Sequence, residues 1–109
     1  MSDTENLLFV CTANQQRSPT AESLFDGDDR YEARSCGTLA GGKRECSEEM
    51  IQWADVIFCM EDRHKHTLLN RFPEMENKKI VVLAIPDCFY RGDPELIHLL
   101  EDRLARWLT

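Results

Sequence analysis

Apolar residues fall in this chain as short runs separated by stretches in which they recur at helical spacing. Residues 7–10 are uninterruptedly apolar and stop at Cys11, after which small and polar residues follow, the pattern of a short buried strand. Ser18 before Pro19 reads as an N-cap with proline at the first helical position, opening a helix over 18–26 whose Ala21, Leu24 and Phe25 face the sheet. Gly27, Asp28 and Asp29 form a turn by composition. Residues 31–36 alternate polar and apolar, which suits an edge strand. Gly41 and Gly42 mark a tight connection, and Ser47 caps a helix over 48–53 with an acidic first turn. The nearly continuous apolar run 55–60 predicts an interior parallel strand. A helix over 61–71 stops at Phe72 and Pro73, and its Arg63, His64, Lys65 and His66 read as a solvated face. The two histidines, at i and i+2, lie on different sides of that helix, so they make no metal pair. A fourth apolar strand covers 80–85. Asp93 before Pro94 then caps a final helix with Leu96, Ile97, Leu100, Leu104, Trp107 and Leu108 as its apolar stripe.

Strands and helices therefore alternate strictly, which predicts an α/β domain of three layers. The length of 109 residues and 42% hydrophobic content suit one core, with residues 1–6 expected to form a flexible tail. No stretch approaches the roughly 20 apolar residues of a membrane span, and the acidic start is unlike a signal peptide, so a cytoplasmic protein is expected. The net charge of −7 argues against nucleic acid as a partner. Five cysteines without a ligand-like spacing indicate neither a disulfide framework nor a metal site, and Cys36, Cys46 and Cys59 read as unreactive thiols, Cys59 in the core. No cofactor is implied.

The chemistry gathers at Cys11 and Arg17, a Cys-x5-Arg spacing between a strand and a helix start. Unpaired N–H groups of such a loop and the first helical turn create an anion site and favour a thiolate, the attacking form of cysteine. The planar fork of Arg17 can grip two oxygens of a tetrahedral oxyanion while the sulfur faces its centre. Without that context, Cys11 would be a small core residue and Arg17 a solvated charge. A second group lies after the fourth strand, where Asp87 has no capping duty comparable with that of Asp93 and would otherwise be a solvated loop carboxylate. Loops after strand C-termini gather on one side of a doubly wound sheet, which brings Asp87 toward the crevice of Cys11.

These residues resemble the low-molecular-weight protein tyrosine phosphatase family, whose loop reads Cys-x-Gly-Asn-x-Cys-Arg-Ser-Pro. The match lies at Cys11, Asn14, Arg17, Ser18 and Pro19, continued by Thr20, Ala21 and Glu22. Ala13 stands for the family's glycine and Gln16 for its second cysteine. With the alternation of elements, the resemblance implies a four-stranded parallel sheet in the order 2-1-3-4 with helices on both faces. It implies that Thr12, Ala13, Asn14, Gln15, Gln16, Arg17 and Ser18 bind phosphate and that Ser18 eases departure of the thiolate. It also implies that Ser35, in a stretch similar to the family's Ser-Ala-Gly-Thr, braces the loop through Asn14. Asp87 matches the general acid of the family's Asp-Pro-Tyr-Tyr loop, with Cys88 in place of the proline and Phe89 and Tyr90 at the aromatic positions. The stretch 37–47 is shorter than the family's, so most of one wall of the cleft is missing.

The activity implied is hydrolysis of phosphomonoesters, phosphotyrosine above all, through a phosphocysteine, by a monomer acting on a phosphorylated protein or small phosphomonoester. Gln15, at a position that contacts the leaving group in the family, leaves phosphoarginine open. Two further readings stand beside it. One is a thiol-redox enzyme of the arsenate-reductase type in which Cys88 resolves oxidised Cys11. The other is a phosphate-binding module without catalysis.

Overall fold

The computed structural model describes residues 4–42 and 44–108. Its elements in chain order are β1 (Glu5–Cys11), α1 (Arg17–Ser23), β2 (Tyr31–Gly37), α2 (Glu48–Trp53), β3 (Val56–Cys59), α3 (Asp62–Arg71), a 3-10 turn (Pro73–Asn77), β4 (Lys79–Val82) and α4 (Pro94–Leu104). The four strands form one parallel sheet in the order β2-β1-β3-β4, with the alternating segment 31–37 at an edge as its pattern requires.

The period of two along β1 divides the interior. Leu7, Phe9 and Cys11 face one side, where they join Ala21 of α1 and Leu96, Leu100 and Leu104 of α4. Leu8 and Val10 face the other, with Ile51 of α2 and Leu68 of α3. Phe9 stacks between Phe25 and Phe58 with ring centroids 5.7 and 5.3 Å away, so an aromatic stack pins β1 from the α1 side. Both faces of β1 are therefore closed, and its C-terminal end is held as a rigid platform.

Several boundaries differ from the sequence reading. Glu5 and Asn6 belong to β1 rather than to a tail, because Glu5 pairs with Tyr31 and the Asn6 amide donates to Asp55 Oδ2 at 2.8 Å; residues 1–3 of the expected tail lie outside the described residues. Helix α1 begins one residue before Ser18 and ends at Ser23, and its N-cap is Gln16. Ser18 is buried inside the first turn, where its hydroxyl serves the loop instead of the helix end. Strand β4 ends at Val82 since Ala84 adopts a left-handed φ of 57°, although Leu83 and Ile85 amides still donate to the carbonyls of Cys59 and Met60. Trp107 leaves the apolar stripe and is 48% exposed beyond the end of α4. Ser47 and Asp93 cap α2 and α4 as their sequence positions predict.

Cys36 and Cys46 are joined in a disulfide, contrary to their reading as separate thiols. They lie ten positions apart in sequence, but Gly37, the last residue of β2, pairs with Glu45 as an isolated bridge, which brings Glu45 and Cys46 back beside the strand. That return is a product of backbone pairing, which cysteine spacing cannot reveal.

Candidate active site

The loop between β1 and α1 is built from both its ends. Cys11, 3% exposed, terminates β1, and the carbonyls of Cys11 and Thr12 accept from the amides of Thr38 and Leu39 at 2.9 Å. Gly37 lets this approach happen: a Cβ there would stand 2.5 Å from the Thr12 carbonyl oxygen. Asn14 takes a left-handed φ of 55°, a conformation asparagine tolerates better than most side chains. Its Nδ2 donates to Ser18 Oγ at 2.9 Å, and Ser18 Oγ lies 2.8 Å from Cys11 Sγ. The Ser18 hydroxyl, which accepts from Asn14, still has its own hydrogen, and against a thiolate, which can only accept, that hydrogen is the donor that stabilises the negative charge.

Arg17 is 2% exposed and immobilised at the other end of the loop. Its Nη1 donates to the Ile85 carbonyl at 2.8 Å and to Glu61 Oε2 at 2.9 Å, while Nε stands 3.8 Å from Asp87 Oδ1. Arg63 donates to the same Glu61 oxygen at 2.7 Å. Burial alone would raise the Glu61 carboxyl, but the hydrogen bonds from Arg17 and Arg63 outweigh it and hold the group below the usual carboxylate range. The guanidinium is thus oriented before any anion arrives.

Cys11, Thr12, Ala13, Gln15, Gln16, Arg17 and Asp87 line one cavity of about 140 Å³. An adjoining one of about 240 Å³ is lined by Gln16, Asp87, Cys88, Phe89 and Tyr90, so Asp87 stands at the junction of the two. Gln15 is exposed at the rim, Tyr90 is 79% exposed, and Phe89 is half-buried with its ring packed against the core on the α4 side. Both members of the aromatic pair expected to flank a substrate thus line the outer cavity, Phe89 resting on the core and Tyr90 largely in solvent. Cys88 is exposed and free, as is buried Cys11, and no bond joins them.

Two expectations need correction. Ser35 does not bond Asn14; its hydroxyl donates to Glu22, whose carboxylate also takes Arg44 at 3.2 Å, and Asn14 turns to Ser18 instead. His64 does not belong to a solvated face. It is 1% exposed, its Nδ1 accepts from the Glu61 amide at 3.0 Å, and its Nε2 lies 2.9 Å from Thr12 Oγ1. Of the two histidines of α3, His66 is the exposed one, 2.9 Å from Asp62. The signal that could have found His64 is its position three residues after the helix N-cap Glu61, where a side chain can turn back onto the cap amide.

No protein-family model matches the chain. Among curated proteins it is 29% identical to the protein-arginine-phosphatase of Geobacillus stearothermophilus, covering 94% of this chain and 95% of the relative. It is 27% identical to the low molecular weight protein-tyrosine-phosphatase Wzb of Escherichia coli K12, over 93% of this chain and 90% of that one. The first of these alignments runs over 140 positions, whereas the present chain has 109 residues, so at least 31 positions of the relative have no counterpart here. In fold it superimposes on the low molecular weight protein tyrosine phosphatase of Streptococcus pyogenes with a TM-score of 0.77 at 18% identity, covering 96% and 94% of the two chains.

Proposed function

We propose, from its likeness to the low-molecular-weight protein tyrosine phosphatases, that the chain is a member of that family and hydrolyses phosphomonoesters of the phosphotyrosine type through a covalent bond to Cys11. The observation that carries the reading is the convergence of a sulfur, a guanidinium and a carboxylate, Cys11, Arg17 and Asp87, on one cavity small enough to exclude most of a substrate but its oxyanion. In this reading the Cys11 thiolate attacks phosphorus in line. Arg17 and the amides of residues 12–18 hold the three equatorial oxygens, whose charge must be stabilised as the phosphoryl group transfers. Asp87, in its acid form, gives its proton to the leaving oxygen as the P–O bond breaks. Water then attacks the phosphocysteine and passes a proton to the Asp87 carboxylate, while the thiolate leaves toward the Ser18 hydroxyl.

Phosphoarginine is the second reading, favoured by the likeness to an arginine phosphatase and by the polar Gln15 at the rim. Either substrate would enter past Asp87 from the outer cavity. The test is hydrolysis of para-nitrophenyl phosphate by the wild type, Cys11→Ser and Asp87→Asn, beside phosphotyrosyl and phosphoarginyl peptides. Turnover by the wild type is expected, with none in Cys11→Ser and a kcat lower by on the order of 10²–10⁴ in Asp87→Asn. An active Cys11→Ser protein would overturn the mechanism, and the peptide with the higher kcat/KM decides between the two leaving groups.

A further inference from the structure

The N-terminal turn of α3 reaches both ends of the candidate phosphate loop, through Glu61 to Arg17 and through His64 to Thr12. The second connection has a definite polarity. The Glu61 amide can only donate, so His64 Nδ1 is the bare nitrogen of the ring. A neutral imidazole then carries its proton on Nε2, which donates to Thr12 Oγ1 at 2.9 Å. The ring is neutral: burial, reinforced by Arg17 and Arg63 and opposed by Glu61 and Asp87, pushes its pKa down to about 4. With its oxygen occupied as an acceptor, the Thr12 hydroxyl is left with a hydrogen to donate, and Thr12 lines the cavity of Cys11 and Arg17.

We propose that His64 is a positioning residue of the oxyanion site, which through its Nε2–H turns the Thr12 side chain into a hydrogen-bond donor for a bound phosphoryl oxygen. The proposal rests on the phosphatase reading for its catalytic meaning, and on the hydrogen bonds alone for its meaning as anion binding. His64 does not touch the phosphoryl group. By taking up one lone pair of Thr12 Oγ1, it favours the hydroxyl rotamer that turns the hydrogen, rather than that lone pair, toward the anion.

The test separates the two contacts of the ring. In His64→Asn the shorter amide can still accept from the Glu61 amide at the site of Nδ1 but does not reach Thr12. His64→Gln can place an amide N–H near the site of Nε2. Inorganic phosphate is titrated against each folded protein, and para-nitrophenyl phosphate kinetics are measured in parallel. His64→Asn is expected to weaken phosphate binding and lower kcat/KM by about three- to tenfold, the scale of one neutral hydrogen bond, with partial recovery in His64→Gln. Thr12→Val should show the same loss, and combining it with His64→Asn should add little. Nitrogen NMR of the wild type at pH 7 should report His64 protonated on Nε2 alone. Unchanged phosphate affinity in His64→Asn, losses that multiply in the double variant, or a proton on Nδ1 would each overturn the proposal. If the wild type binds phosphate with these dependences but hydrolyses nothing, the phosphatase reading fails and the anion-positioning role stands.

Discussion

His64 also couples the site to acidity. Its ordinary pKa of 6.5 is carried down to about 4 in the folded protein, first by burial and then by Arg17 and Arg63. The unfolded chain therefore takes up a proton near pH 6.5 that the folded chain refuses until about pH 4, and stability falls as pH drops through that window. The shift bounds the loss at about 3 kcal/mol. Urea unfolding at pH 7 and pH 4.5 should show the wild type losing more stability than His64→Asn. Equal losses in the two proteins would mean that His64 is not held neutral. Glu61, whose carboxyl is depressed mainly by Arg17 and Arg63 against the effect of burial, adds its own loss at lower pH, as its folded-state pKa is approached. At this scale the meeting of Cys11, Arg17 and Asp87 at one cavity was legible, because a Cys-x5-Arg spacing between a strand and a helix start, and an aspartate without a capping duty after a strand, are local patterns. His64 was not, because histidine beside Arg63 and Lys65 looks the same whether it faces water or the underside of a loop.

Among the elements, β2 does more than close the sheet. Its last residue, Gly37, lies against the backbone of Thr12, Ala13 and Asn14, and a methyl group there would stand 2.5 Å from the Thr12 carbonyl oxygen, so the backbone must shift. Gly37→Ala is expected to displace the loop while leaving the sheet formed: near-wild-type far-ultraviolet circular dichroism, with kcat/KM lower by about tenfold or more. Retained activity would mean that the loop can shift without loss. The helices over 48–53 and 61–71 and the final cap at Asp93 were readable, since apolar spacing and capping residues are local signals. The cap assigned to Ser18 failed for a specific reason. A serine before proline has the chemistry of an N-cap, but here its hydroxyl is drawn to Asn14 and Cys11, and the helix starts a residue earlier.

For the whole molecule, at least 31 positions of the arginine-phosphatase relative have no counterpart in this chain, and the disulfide between Cys36 and Cys46 ties Cys46 to the end of β2. A cross-link closing a loop of this size contributes about 2–4 kcal/mol by restricting the unfolded chain. Reduction, or the paired change of both cysteines to serine, should lower the urea midpoint accordingly. A midpoint indifferent to reductant would show that the bond does not form in solution. Among the described residues no helix is long and apolar enough to cross a membrane.

The amino-acid sequence by itself determined the alternation of strands and helices, the identity of the central strands, and the loop that carries Cys11 and Arg17. These rest on neighbouring residues, and period, capping and spacing are properties of a few turns of chain. Only the tertiary structure decided who meets whom across that framework: Glu61 with Arg17, His64 with Thr12, Ser35 with Glu22 rather than Asn14, and Cys36 with Cys46. Those pairings are set by strand order and parallel register, which bring together residues from 10 to 52 positions apart, and no local pattern records which side chain will find its partner there.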